Sequence, residues 1–326
     1  EEKQHRKGKI QIDKEHIEFV GPSEKPSRIT DIQFTMFDRT EMNKMSEFEV
    51  KQHNMFEVGS RKPNPDGVLD RRLGVCDAVS VCQTCGKTVE ECCGHFASIN
   101  LAMPVFHIGF FRPIIQVLQC VCKHCSRILL TDNERDYFLH KMRNKKTDTV
   151  ARTFLLRGLI TQCRKHYSCC PHCLAVNGSI KRYGNMRLVH EKYHRDETSG
   201  EMTEYYAGFD AALQMDKDIS AFVNNAQEDL DPAKVLSIFQ KLVREDIEAM
   251  DFDPDLAPPE KMILTSIPVS PVTIRPSVAM DGGNASNEDD ITTQLKEIVE
   301  CNNKLKNLIE KGCGAFQFNE AWDALT

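Results

Sequence analysis

The chain has 326 residues, of which 40% are hydrophobic and 28% charged, and its formal net charge is −6. This composition is typical of a soluble globular protein and is too hydrophobic for disorder throughout. No apolar run approaches the roughly 18 residues that cross a bilayer, and no secretion signal is recognisable, so we expect an intracellular protein without a membrane partner. The chain begins at Glu1 without a methionine and ends at Thr326 directly after an aromatic-bearing segment, which we interpret as part of a longer protein.

The charge is unevenly distributed along the chain. Residues 135–195 contain 14 Lys and Arg against 3 Asp and Glu, a local charge of +11 that leaves −17 for the remainder. A basic block in an otherwise acidic chain favours a phosphate-rich partner. An ordinary solvated surface is the alternative, and charge alone does not separate the two.

The predicted elements begin after a polar stretch of about 60 residues, in which only the alternation at 29–37 suggests a strand. In the apolar stretch 99–125, Pro104 and Pro113 exclude one continuous helix and predict a strand, a turn and a short helix starting near Pro113. Apolar residues then recur at helical spacing through residues 133–160.

The second half of the chain is predicted to be mainly helical. Helices are expected over 205–226 and over 231–250, the latter capped by Asp231 with Pro232 in its first turn. Six prolines predict an extended, surface-packed segment at 253–276, followed by a flexible loop. A helix over 290–311 ends at Gly312, and its single apolar stripe predicts one partner helix beginning at 318–325.

Cysteine spacing gives the strongest chemical signal. The chain has 14 cysteines, and CxxC occurs three times; in a reducing compartment such pairs are metal ligands or redox centres more often than disulfides. Cys82 and Cys85 form one pair, and Cys92 and His95 form a second pair at the same spacing. These four side chains match a structural zinc site, whose filled coordination leaves no room for an activated water. Cys93 is then a spare thiol.

A second site joins Cys122 and Cys125 to Cys170 and Cys173 across an excursion of 44 residues. An excursion of this length is too long for a compact finger, so the ion would hold two separate chain segments together. Cys163 and Cys169 are alternative ligands for this site. We interpret both of them, and Cys120, as structural thiols.

Two other interpretations are weaker. A redox role for the CxxC pairs lacks the βαβ context and the single reactive pair of thioredoxin-type proteins. Glu288, Asp289 and Asp290 resemble a magnesium site, but their position before an amphipathic helix favours N-terminal capping. No catalytic residue is assigned.

Together these stretches resemble a known family. GVLDRRLG, CQTCGKTVEECCGHF and NLAMPVFHIGFFRPIIQVLQCVCKHCSRILL are similar to the amino-terminal region of the largest subunit of multisubunit DNA-dependent RNA polymerases. CPHCLAVNG, LVHEKY, MILTSIPVSPVTIRPSV and NEDDITTQLKEIV are most similar to eukaryotic RNA polymerase III. The resemblance extends over residues 67–312, with gaps near 195–225.

The resemblance implies an α+β fold in the form of an irregular zinc-stapled clamp, with clamp core and head and a long helix forming one arm of a coiled coil. It implies two structural Zn²⁺ ions, held by Cys82, Cys85, Cys92 and His95 and by Cys122, Cys125, Cys170 and Cys173. The family's magnesium-binding NADFDGD motif is absent, so Mg²⁺ would act only in the whole polymerase, and this part of the nucleotidyltransferase is expected to be non-catalytic.

The implied domains are an amino-terminal variable segment (1–66), a clamp head with two zinc sites (67–200), a helical clamp core (201–274), a lid-like loop (275–290) and a truncated first arm of the clamp coiled coil (291–326).

The implied partners are other RNA polymerase III subunits including the second-largest, the DNA template with its RNA–DNA hybrid, and initiation or elongation factors at the coiled coil. The implied location is the nucleus. The basic side chains expected at nucleic acid are Lys141, Arg143, Lys145, Lys146, Lys181, Arg182 and Arg275. The alternatives are the clamp of another polymerase class and a free-standing zinc-dependent protein-interaction module.

Overall fold

The computed structural model describes residues 35–59, 62–77, 79–144, 147–167, 169–184, 186–192, 227–279 and 286–326, together with a few isolated positions. The chain divides into two units, residues 1–35 and 36–326, and the elements below belong to the second. Residues 30, 32 and 35–37 of the strand expected at 29–37 are described, and none of them lies in a strand. The helix expected at 205–226 lies outside the described residues except for four isolated positions. Mixed α and β structure confirms the α+β class.

The main sheet joins three segments that are far apart in sequence. Helix α1 (Arg39–Met45) begins with a capping box at Asp38 and leads directly into β1 (Ser46–Glu49). Strand β1 pairs in parallel with β2 (Phe96–Phe106), and β2 pairs antiparallel with β6 (Ile263–Val269). The proline-rich segment was expected to be extended, and its residues Ile263–Val269 are extended as an edge strand of this sheet.

The predicted order of strand, turn and helix after residue 95 is confirmed. Helix α2 (Phe111–Cys120) follows β2 and carries Pro113 in its first turn, where a missing N–H costs nothing. Helices α3 (Asp132–Arg143) and α4 (Thr149–Arg164) fill the region of helical spacing that follows. A second sheet contains β3 (Ser179–Tyr183), β4 (Arg187–Glu191) and β5 (Gln227–Asp229), all antiparallel.

The single helix expected at 231–250 is two helices, α5 (Pro232–Phe239) and α6 (Arg244–Ala249). Val243 is extended between them and is 40% exposed. The break directs the buried Asp246 carboxylate to the N–H of Ile128 at 3.1 Å. Asp231 occupies the cap position of α5, but its side chain makes no capping bond.

The carboxyl-terminal part of the chain is a pair of packed helices. A short hairpin of β7 (Val278–Ala279) and β8 (Ser286–Asn287) precedes α7 (Asp290–Lys311). Asp289 caps α7 by accepting from the N–H of Ile291, which confirms the capping interpretation, and Gly312 ends the helix at a φ of 65°. Helix α8 (Ala315–Leu325) packs against α7 and begins slightly earlier than predicted.

Two apolar cores lie on the main sheet. The first core gathers buried residues of α2, α3, α4, the second sheet, α5 and α6. The second core gathers residues of β2, β6, α7 and α8, including the single tryptophan, Trp322. Strand β2 joins the two, because Phe106 at its end lies in the first core and Ala97 to Val105 lie in the second.

Candidate metal centres and basic surface

Three identical turns build the cysteine pairs. The N–H groups of Gly86, Ser126 and Leu174 donate to the carbonyls of the cysteines four residues earlier, at 2.9, 3.0 and 2.9 Å. Each of these three residues has a positive φ, of 67°, 57° and 61°. The left-handed residue reverses the backbone, so both sulfurs of each CxxC point to the same side. Gly86 adopts this conformation without cost, whereas Ser126 and Leu174 do so against their preference.

The first group brings together Cys82, Cys85, Cys92 and His95, with all four donor atoms within 4.8 Å of one another. The Sγ atoms of Cys85 and Cys92 are 3.5 Å apart and no disulfide joins them. Four donors about 2.3 Å from a central zinc would lie roughly 3.8 Å from each other, which is close to this spacing. A disulfide would require about 2.05 Å.

His95 fits a ligand in a second respect. Its Nε2 atom is buried and has no hydrogen-bond partner among the described residues. Its Nδ1 atom lies 3.7 Å from the carboxylate of Glu47 on β1. Metal-bound imidazoles commonly direct their other nitrogen to a carboxylate in this manner. The neighbouring His95 side chain lowers the pKa of the Cys85 thiol to about 6, which favours the thiolate form that binds metal.

The second group brings together Cys122, Cys125, Cys170 and Cys173, again within 4.8 Å. The Sγ atoms of Cys122 and Cys173 are 3.7 Å apart, and those of Cys125 and Cys170 are 3.8 Å apart. Both distances match the edge of a tetrahedron around zinc. The group therefore links two chain segments inside the first core, where Cys122 and Cys170 are fully buried.

Asn177 supports the second group. Its Nδ2 atom donates to the Cys122 sulfur at 3.3 Å, and its Oδ1 atom accepts from the N–H of Lys123 at 3.0 Å. Burial alone would raise the pKa of the Cys122 thiol, but hydrogen bonds from the Cys125 backbone and Asn177 bring it down to about 7. Sequence reasoning missed both Asn177 and Glu47, because neither belongs to a spacing pattern.

The competing thiols lie elsewhere. Cys93 and Cys169 are exposed and belong to neither group. Cys120 and Cys163 are buried in the first core, where burial raises the pKa of Cys163 well above its usual range. The geometry thus separates the eight expected ligands from their neighbours.

Arg275, expected at nucleic acid, is buried, and this expectation is wrong. Its side chain is 0% exposed. The guanidinium donates to the carbonyls of Val68 and Ser270 at 2.6 and 3.1 Å and to the hydroxyl of Thr292 at 3.0 Å. A side chain whose donors are all directed inward cannot contact a phosphate.

The other expected basic residues differ in how free they are. Arg143 is paired with Glu248 at 2.7 Å, and Lys181 with Glu191 at 2.6 Å. Lys141 lies over the ring of Tyr137, and Arg182 lies 5.3 Å from the ring centre of Phe111. Lys145 and Lys146 lie outside the described residues.

Carboxylates that lie outside the basic block therefore neutralise several of its arginines. Arg135 and Arg143 meet Glu245 and Glu248 of α6, and Arg152 meets Asp251 directly after α6. The sequence count of +11 overstates the charge that is available to a partner. In the described part of the chain, every helix is too short or too polar to span a bilayer.

Two groups of four nitrogen and sulfur donors, each arranged so that it could hold a metal ion, lie within this α+β fold. The chain belongs to the family described as RNA polymerase Rpb1, domain 1, which matches residues 26–326. It is 40% identical over 95% of its length to DNA-directed RNA polymerase III subunit rpc1 of Dictyostelium discoideum. It is 33% identical over 91% of its length to the RNA polymerase III subunits RPC1 of Bos taurus and Homo sapiens. The chain spans only 21% to 22% of the length of these three relatives.

Proposed function

We propose that this chain is the clamp region of the largest subunit of a nuclear RNA polymerase III, which transcribes small untranslated RNAs such as tRNA and 5S rRNA. The observation that carries the proposal is similarity to three polymerase III subunits over 91% to 95% of the chain. As a clamp, it closes over DNA and the RNA–DNA hybrid. The catalytic Mg²⁺ belongs to the whole nucleotidyltransferase, and this region is non-catalytic.

Two structural zinc ions fit this role. Cys82, Cys85, Cys92 and His95 would hold one, and Cys122, Cys125, Cys170 and Cys173 the other. Zinc supplies rigid links between separate chain segments, and four protein donors at each site leave no position for a reacting water. The unpartnered Nε2 atom of His95 and the sulfur spacings of 3.5 to 3.8 Å support this assignment.

Nucleic-acid contact would fall on basic side chains that remain exposed. Lys141, Arg143, Lys181 and Arg182 retain this role, with Arg143 and Lys181 held by carboxylates in the free chain. Lys145 and Lys146 keep the same proposal from sequence. Contacts to phosphates carry no sequence information, which suits an enzyme that moves along any template.

The proposed layout follows the family. Residues 1–66 form a variable segment, 67–200 the clamp head, 201–274 the clamp core, 275–290 the lid, and 291–326 the start of the clamp coiled coil. The packing of α8 on α7 supports the last assignment. Initiation or elongation factors would bind at this coiled coil, and the second-largest subunit would be among the other partners.

Immunodepletion tests the proposed function. An antibody raised against the exposed side of α7 should remove synthesis of tRNA and 5S rRNA from a nuclear extract of the source cells, because the polymerase leaves with its largest subunit. Synthesis of messenger RNA in the same extract should persist, and the eluted complex should restore the lost synthesis. Unchanged tRNA synthesis after complete removal of the chain would contradict the proposal.

A further inference from the structure

Helix α4 is unusual in its charge. Its 16 residues include Arg152, Arg157 and Arg164 but no aspartate or glutamate, and Lys165 follows directly. One side of the helix is committed to the first core through Leu159, Ile160 and Cys163. The arginines that could meet a partner are therefore to be sought on the opposite side of the helix.

The outer side of α4 carries a continuous row of solvent-exposed residues at three- and four-residue spacing. The row, here called the α4 stripe, consists of Val150, Phe154, Arg157, Thr161 and Arg164, together with Lys165, which is exposed directly after the helix. It extends about 22 Å along the helix at 1.5 Å per residue. Val150 is 61% exposed and Phe154 is 64% exposed.

The cations of the stripe are available to a partner. Arg152 lies off the stripe and is paired with Asp251 at 2.5 Å. Among the described residues, Arg157, Arg164 and Lys165 form no ion pair. The Arg157 guanidinium instead lies 5.8 Å from the ring centre of Phe154.

A second aromatic residue with its own cation lies on the neighbouring helix. Tyr137 of α3 is 54% exposed, and Lys141 lies 4.2 Å from the centre of its ring. The two helices pack closely where Gly158 faces Phe138, and Gln162 donates to Glu134 at 2.8 Å. Tyr137 is directed away from the core that holds Phe138, so it is exposed on the outside of the same helix pair.

This combination suits one class of ligand. Exposed rings beside arginine and lysine stack on unpaired bases, while the cations follow the phosphates. Bases inside a duplex are stacked on one another and present no free face to Phe154. The outer face of one helix is convex, so it lacks the groove that an apolar peptide side chain would fill.

We propose that the α4 stripe binds single-stranded nucleic acid, with Phe154 stacking on one base and Arg157 and Arg164 contacting phosphates. The inference deepens the proposed function and rests on it, since a polymerase generates single strands at its transcription bubble. Tyr137 and Lys141 form a second aromatic–cation pair on the neighbouring helix α3.

The test is fluorescence anisotropy of the zinc-loaded full chain with a labelled oligo-dT of about 12 nucleotides. Phe154→Ala should weaken binding roughly ten-fold or more, the loss expected for one stacked base, whereas Phe154→Tyr should retain it. The double variant Arg157→Gln, Arg164→Gln should reduce the slope of log affinity against log salt by about 1.4, because each lost phosphate contact removes about 0.7. Arg152→Gln is the matched control on the same helix and should change neither quantity.

Duplex DNA of the same length separates this inference from the proposed function. One outcome would overturn the inference and leave the proposed function standing. In that outcome the parent and Phe154→Ala both bind the duplex in a salt-sensitive way, and Phe154→Ala also binds the single strand as tightly as the parent does. If Phe154→Ala lost affinity equally for the duplex and for the single strand, the inference would also be overturned. Stacking on an unpaired base predicts that only the affinity for the single strand falls. Displacement of the oligonucleotide by polyglutamate of equal charge at equal concentration would point to an acidic protein partner instead. Zinc content and the unfolding midpoint of each variant, equal to those of the parent, confirm that the fold is retained.

Discussion

Arg275 is the residue whose role differs most between sequence and structure. A basic side chain at the start of the lid-like segment suggests phosphate contact, yet its guanidinium links Val68, Ser270 and Thr292 within the protein. Burial lowers the pKa of Arg275 to about 10, so it remains charged at neutral pH. It therefore joins the second core to the first turn of α7.

Arg275→Met is expected to lower the free energy of unfolding by about 3 kcal/mol, because buried carbonyls lose a charged donor. Urea unfolding followed by the fluorescence of Trp322, which lies in the same core, measures this change. Arg182→Met, an exposed arginine replaced in the same way, should alter stability far less. Unchanged stability with weaker DNA binding in Arg275→Met would return this residue to the nucleic-acid surface.

His190 provides a prediction about pH. It is 2% exposed on β4, its Nε2 atom accepts from the N–H of Gly178 at 3.0 Å, and its Nδ1 atom lies 3.5 Å from Glu228. Burial, together with the nearby charge of Lys123, lowers the pKa of His190 to about 4. Because only the unfolded chain binds the proton between about pH 6.5 and 4, this residue makes the fold less stable as pH falls through that window.

Between pH 7 and pH 5 the parent should lose about 2 kcal/mol more unfolding free energy than His190→Gln, whose amide oxygen also accepts from Gly178. Urea unfolding at the two pH values gives the difference. His140→Gln, at an exposed position on α3, should follow the parent. Parallel pH curves for the parent and His190→Gln would mean that His190 is protonated without penalty in the folded chain.

At the scale of elements, local signals predicted the structure where the determinants are local. The bounds of α7 match the prediction because Asp289 and Gly312 act on the helix ends directly. The cysteine pairs were recognisable for the same reason, since each turn closes within five residues.

Elements that depend on distant partners were not predictable. The break between α5 and α6 serves a bond from Asp246 to Ile128, which lies 118 residues away. The buried face of α7 includes Asn302, which binds the backbone of Ala102 and Asn100 where the β2–β6 register is irregular. A polar residue at such a position satisfies strand groups that the bulge leaves unpaired, and no periodicity in α7 indicates it.

At the scale of the whole molecule, the two metal groups belong to different cores. The first lies at the edge of the second core, where the N–H of His95 donates to the carbonyl of Leu73 at 3.1 Å. The second is inside the first core and connects chain segments on either side of α3 and α4. Removing the ions one at a time should therefore affect two different parts of the protein.

Zinc content per chain is expected to be two, and Cys92→Ser and Cys170→Ser should each lose one ion. Elemental analysis of purified protein measures this, and Cys93→Ser and Cys169→Ser, which change adjacent exposed thiols, should retain both ions. Cys170→Ser should also destabilise the first core by several kcal/mol, because the three remaining donors lose their common ion. Cys92→Ser should act mainly on the loop between Gly74 and His95, where Cys85 and its neighbours are largely exposed.

A Cys93→Ser chain with one zinc, or a Cys92→Ser chain with two, would mean that Cys93 and not Cys92 is the ligand. Because the two variants report on separate cores, a loss of both ions in either one would mean that the two sites are not independent.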